Sequence, residues 1–290
     1  MGQDGAAEVG PEGVLDPPRH AFHPDGRAVD RLAPRVPAGD DETFSITGLL
    51  ADGTVVGQAI GSMQAVAAGT ARTSRLLKFN PATEGVDLLD QMWVGGTVLL
   101  LQGERSSVTM NQPISPKSFS AIAPGGEYLV IAHQPVVDEG PGGFVLRWIR
   151  LDGQRATRRY RRSPRELSAP ARDSLLDRYA TMFSERGTFG SRAAARQALE
   201  RVLHLPKVLP PVTGLLIGAD HSVWVRHEEY SGRDGVEYTV INSRGEPSGR
   251  VRVHAGVSLL ASDGNKAWGR LVDEWGVNYV VTYTIVRPNG

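Results

Sequence analysis

The chain has 290 residues, of which 40% are hydrophobic and 22% charged, enough apolar material for a substantial core, so disorder is excluded as its default state. Its 32 basic and 32 acidic residues cancel, which excludes a global field that would draw it to nucleic acid or to an anionic membrane. Cysteine is absent, which excludes disulfides, thiolate metal sites and a cysteine nucleophile and leaves the compartment open.

Met1 to Gly13 is polar and glycine-rich, without the basic n-region and apolar h-region of a secretory signal. Residues 1–19 read as a flexible or truncated N-terminal segment, and 20–290 as a β-propeller domain. Apolar runs such as Val98 to Leu101 are too short to span a bilayer. His20 to Pro34 reads as a hairpin turning at Asp25-Gly26, with Pro34 and Pro37 closing it. Phe44 to Ile60 follows as two strands around Asp52-Gly53, then Arg75 to Phe79 and Val86 to Leu89 around NPATEG, which completes a four-strand unit. An extended insert, Gln91 to Lys117, separates this unit from the next. Ser118 to Gln134 turns at Gly125-Gly126, and Gly143 to Tyr160 turns at Asp152-Gly153.

A helical insertion occupies 165–206. Ser168 caps a helix with Pro170 in its first turn, an apolar face of Leu175, Leu176, Tyr179, Met182 and Phe183, and Gly187 at its end. Ser191 caps a second helix whose stripe is Ala195, Ala198, Leu199, Val202 and Leu203, stopped by Pro206. Each is too short to be stable alone in water, so both are expected to pack on the side or mouth of the sheets.

Leu215 to Val253 gives four strands, apolar on both sides, as strands stacked between neighbouring sheets must be. Val257 to Val286 adds three more around Asp263-Gly264. Asp220 and Asp263 stand 43 residues apart, within the roughly 40 to 45 of a four-stranded propeller blade. The fold class is therefore all-β: a propeller of four-stranded antiparallel blades with a two-helix insertion.

The stretches ITGLLADGTVVG, LLKFNPATEG, LLIGADHSVWVR, YTVINSRGEPSGRVRV and AWGRLVDEWGVNYVVTYTI resemble the bacterial six-bladed β-propeller proteins of the NHL and TolB-like kind. The resemblance covers about four-fifths of the chain and implies a scaffold, six blades and export as a periplasmic protein or lipoprotein. About seventeen strands are countable where six blades need about twenty-four. The expectation is an N-terminally incomplete chain holding about five blades, or a five-bladed closure that pairs Asn278 to Val286 with the first hairpin.

No Gly-x-Ser-x-Gly elbow, P-loop, GxGxxG, HExxH or EF-hand loop occurs, so no catalytic residue, cofactor or metal is expected. The densest polar constellation is Arg226, His227, Glu228 and Glu229 at a strand end. One histidine beside two carboxylates is a candidate ligand site, against which strand alternation puts His227 with Val223 and Val225 and turns Arg226 and Glu228 the other way. The alternative is structural surface. Asp273, Glu274 and Trp275 form a second candidate, carboxylates beside an aromatic, whose plain reading is a polar turn on a half-buried Trp. Trp93, Trp148, Trp224 and Trp268 read as inter-blade core. The run Arg147, Arg150, Arg155, Arg158, Arg159, Arg161, Arg162 and Arg165 reads as a solvated outer strand and linker rather than a phosphate-binding surface.

The functional expectation is a non-catalytic binding scaffold for a protein, peptide or carbohydrate, a monomer, using the channel mouth and the loops Ser231 to Gly235 and Asp273 to Asn278. The rival is a propeller-type hydrolase or lactonase with a metal in the central channel, resembling gluconolactonases. That rival needs acidic and amide side chains at inner strand ends, where SITGLL, FSAIAP, TGLLIG and VSLLAS offer hydroxyls instead.

Overall fold

The computed structural model describes residues 21–22, 28–29, 42–61, 73–95, 98–103, 106–134, 140–227, 235–254, 256–273 and 275–286. Met1–Pro37 and Ala38–Gly290 are separate compact units. In the first, β1 (Ala21–Phe22) and β2 (Ala28–Val29) pair antiparallel, and the Asp25-Gly26 turn read between them lies outside the described residues.

The second unit is built from antiparallel meanders. β3 (Glu42–Leu49), β4 (Val55–Gly61), β5 (Thr73–Asn80) and β6 (Gly85–Trp93) form the first four-stranded sheet. β7 (Val98–Gln102) and β8 (Ser107–Asn111) form a two-stranded hairpin. β9 (Phe119–Ile122), β10 (Tyr128–His133), β11 (Gly143–Arg150) and β12 (Arg155–Arg161) form the second four-stranded sheet. Helices α1 (Ala169–Glu185) and α2 (Arg192–Val202) come next. The third sheet is β13 (Gly214–Ile217), β14 (Val223–His227), β15 (Val236–Ile241) and β16 (Pro247–Val253), and the last has three strands, β17 (Val257–Ser262), β18 (Lys266–Val272) and β19 (Asn278–Thr284).

The first strands of the sheets neighbour one another in the order β3, β9, β13, β17, which is the inner-strand arrangement of a β-propeller. Apolar cores lie between successive sheets. Leu76 and Met92 meet Leu129 and Ile131; Val130 and Leu146 meet Val223 and Val225; Trp224 and Tyr238 meet Val257 and Ala267. The second and third sheets thus bury both faces, as the doubly apolar strands of the sequence require.

Among the described residues the blade-like sheets number four, which corrects the expectation of six. The physical reason lies partly in the insert. Leu99 and Leu101 of β7 and Val108 and Met110 of β8 pack on Leu176, Phe183 and Leu199 of the helices, so the hairpin spends its apolar face there and stacks on no sheet as a blade. Both helices start as their sequence signals require: Ser168 Oγ accepts from Ala171 N at 3.3 Å and Ser191 Oγ from Ala194 N at 3.1 Å. No described helix is long and apolar enough to cross a membrane.

The sheets have two unlike ends. One carries the tight turns. There Ala51 N–H donates to Gly126 O at 3.1 Å and Ala219 N–H to Ser262 O at 2.6 Å, stitching first sheet to second and third to last. His221 Nδ1 stands 3.2 Å from Glu127 Oε1, which links second to third. Gly126 has φ +73, and a Cβ on it would lie 2.5 Å from Ala51 N, so this contact requires glycine. The opposite end carries the starts of the inner strands, the linker 112–118 and the approach of α1.

Candidate functional site

At this second end lies a cavity of about 880 Å³, within the size range of small-molecule sites. Two other clefts among the described residues, of about 130 and 10 Å³, are far smaller. Its wall is assembled from separated stretches. Thr43 and Thr47 come from β3, Gln58 from β4, Trp93 from the end of β6, residues 111–120 from the end of β8 to β9, Tyr179 from α1, and Thr213 from the approach to β13. The described lining mixes hydroxyls of Thr43, Thr47, Ser120 and Thr213, amides of Gln58, Asn111 and Gln112, the rings of Trp93, Phe119 and Tyr179, and the apolar side chains of Ile60, Val94, Ile114 and Val212. Among the described residues Lys117 is the only charged one lining it.

Buried Gln134 fixes this wall. Its amide nitrogen donates to Lys117 O at 2.9 Å and to Val212 O at 2.6 Å, and its oxygen accepts from Val212 N at 3.0 Å. One side chain therefore holds the start of β9 against the segment leading to β13. Ile114, in the linker, has φ 55. A β-branched residue in the left-handed region stores strain of order 1 to 3 kcal/mol, which persists only where surroundings impose it and which clusters at binding sites. Lys117 Nζ stands 5.1 Å from the centroid of the Phe119 ring, a cation–π contact that orients the ammonium.

Behind the wall runs a polar line. Ser118 Oγ accepts from Trp93 N at 3.0 Å and stands 3.4 Å from His133 Nδ1; His133 Nε2 stands 3.1 Å from Asp90 Oδ2, to which Arg147 Nη1 donates at 2.6 Å. The carboxylate can only accept, so Nε2 carries a hydrogen and Nδ1 faces the serine. Burial works against the Asp90 charge, but the bonds from His133 and Arg147 outweigh it and hold the carboxyl below its ordinary range. This order of groups is that of a serine nucleophile and its base. Here Ser118 is 8% exposed and already accepts a backbone N–H, and an arginine occupies the acid, so the line reads as a latch between first and second sheets.

The residues singled out from sequence lie elsewhere. His227 is fully buried. Its Nδ1–H donates to Pro211 O, and Nε2 accepts from Thr239 Oγ1 at 2.8 Å, so both nitrogens are engaged inside the protein. Burial, with Arg162 nearby, pushes its pKa down to about 4. The surface reading is corrected to a core histidine: Phe144 covers it edge-on at 6.4 Å between ring centroids. Arg226 pairs across strands with Gly214 and Tyr238, on the face opposite His227 as alternation predicts, with its Nε buried and without a hydrogen-bond partner. Glu228, Glu229 and Glu274 and the loop 231–234 lie outside the described residues. Asp273 closes its own turn, accepting from Trp275 N at 2.9 Å, Val277 N at 2.8 Å and Tyr279 Oη at 3.0 Å. Trp275 is 82% exposed, which corrects the half-buried anchor expected of it; the turn is closed by the Asp273 carboxylate instead. None of the described members of these two groups lines the cavity.

The tryptophans divide in the same way. Trp224 and Trp148 pack between sheets as expected, Trp268 is half-buried, and Trp93 stands on the cavity wall. The arginine run is an exposed outer strand over Arg155–Arg161, but Arg162 and Arg165 turn inward onto Glu237 at 2.6 and 3.4 Å. Burial opposes ionisation of Glu237, and these guanidinium groups overcome it and keep the acid below its ordinary range. Among the described residues no group of three or more His, Asp or Glu is placed to hold a metal ion. Sequence reading missed the cavity residues, although the hydroxyls at the inner strand ends were their one visible signal.

No protein-family model matches the chain, and no curated protein matches it.

Proposed function

We propose that the protein is a non-catalytic binding scaffold whose ligand site is the cavity lined by β3, the 111–120 segment and Tyr179, and that its ligand is a small polar molecule of saccharide size. One observation carries this reading: a cavity of about 880 Å³ whose described lining combines hydroxyls, amides and three aromatic rings with no carboxylate among those residues. Rings bind the apolar faces of sugars, and amides and hydroxyls satisfy their edges. The resemblance of the blade stretches to NHL and TolB-like proteins supports the scaffold half of the reading, since such propellers present ligands at an end of the inner strands. A metal-dependent hydrolase draws no support from this lining, because hydroxyls and amides without acidic side chains are poor ligands for a divalent ion.

The test is calorimetric titration of the purified protein with a panel of neutral and acidic oligosaccharides. Binding by at least one of them, weakened on the order of tenfold by Tyr179→Ala and by Trp93→Ala, supports the site. Binding that both substitutions leave unchanged places the ligand elsewhere and refutes it.

A further inference from the structure

We infer that the ligand of this cavity carries a carboxylate and that Lys117 selects it; the inference rests on the binding reading above. Among the described residues Lys117 is the single charge on this wall, and no acid among them pairs with its ammonium. Its position is set from two sides. The Phe119 ring lies 5.1 Å beneath Nζ, and its backbone carbonyl is held by Gln134 at 2.9 Å.

The charge decides among ligand classes. A cationic ligand is repelled by an ammonium with no counter-charge. A neutral ligand leaves that exposed ammonium to water and gains nothing from it. A doubly charged phosphate is ordinarily met by several cations or by an arginine fork, and this wall has one lysine. A single carboxylate matches the charge, and the neighbouring hydroxyl of Ser120 and the amide of Gln112 suit the rest of a sugar acid. The class that satisfies rings, amides, hydroxyls and one cation together is an oligosaccharide bearing a uronic acid.

The experiment compares a trisaccharide bearing one glucuronic acid, its methyl ester, neutral maltotriose and a tripeptide with a free C-terminus, using the whole protein and Lys117→Met. We expect the acid to bind on the order of tenfold more tightly than its ester, the margin of one charge-assisted hydrogen bond. Lys117→Met should erase that difference, leave ester binding unchanged and leave the melting temperature within a degree or so of the parent, since the side chain is exposed. Equal binding of acid and ester overturns the carboxylate inference and leaves the binding reading intact. Lys117-dependent binding of the tripeptide in place of the uronide overturns the saccharide assignment. Failure of every saccharide to bind removes the binding reading itself, and this inference with it.

Discussion

Replacing His227 tests whether a buried neutral imidazole shapes the stability of the third sheet. In the folded chain it titrates at about 4, against about 6.5 when unfolded, because burial penalises the cation and Arg162 repels it. The unfolded state therefore binds the proton more readily. Stability is complete above about pH 6.5 and declines as pH falls toward 4, where the loss levels off. The linkage amounts to about 2 kcal/mol at pH 5 and about 3 kcal/mol below pH 4. His227→Asn keeps a donor for Pro211, loses the Thr239 partner and leaves a small void against Phe144, a cost of about 2 to 4 kcal/mol at pH 7.5. Urea unfolding at pH 7.5 and pH 5 should show the parent losing about 2 kcal/mol across that interval beyond the loss in the variant. A parent and variant with the same pH slope would refute the assignment of that term to His227.

Three further expectations are open to measurement. Glu237→Gln strips the carboxylate from between Arg162 and Arg165, leaves a guanidinium that is 9% exposed without its counter-charge, and should destabilise by about 3 kcal/mol in denaturant titration; a loss below 1 kcal/mol would contradict a buried ion cluster. Gly126→Ala forces a left-handed φ on alanine and drives a methyl into the backbone of Ala51, so the melting transition should fall by several degrees, whereas Gly153→Ala, with open space around it, should lose only the conformational part of about 1 kcal/mol. A fluorophosphonate probe should leave Ser118 unmodified in intact-mass analysis, because its oxygen is engaged by Trp93 and shielded; a stoichiometric adduct on Ser118 would turn the latch into a nucleophile.

The elements that local chemistry dictates were legible before any coordinates. Asp52-Gly53, Gly125-Gly126, Asp152-Gly153 and Asp263-Gly264 mark turns, and the second glycine of each has positive φ. Ser168 and Ser191 announced both helices to within a residue. What depended on distant chain was not legible. Alternation gave the face of His227 but not its depth, since Pro211 and Phe144 come from other parts of the chain. The arginine run looked solvated because its acid, Glu237, stands 75 residues from Arg162. The cavity was hidden for the same reason. Its wall gathers single residues from several sheets and a linker, and no local pattern joins Thr43, Lys117, Tyr179 and Thr213.

The unequal ends of the sheets have a mechanical meaning. The stitches at Ala51–Gly126, Glu127–His221 and Ala219–Ser262 behave as rivets of a folding fan, fixing the leaves at one rim. At the far rim, where the cavity opens, Gln134, the Asp90–His133 pair and the backbone bond from Ser118 N to Trp93 O at 2.7 Å act as ties between adjacent leaves. The cavity is therefore bordered by a few ties close to it, while the spacing of the sheets rests on the apolar cores between them and on the stitches remote from it. Substitutions can retune the first without disturbing the second.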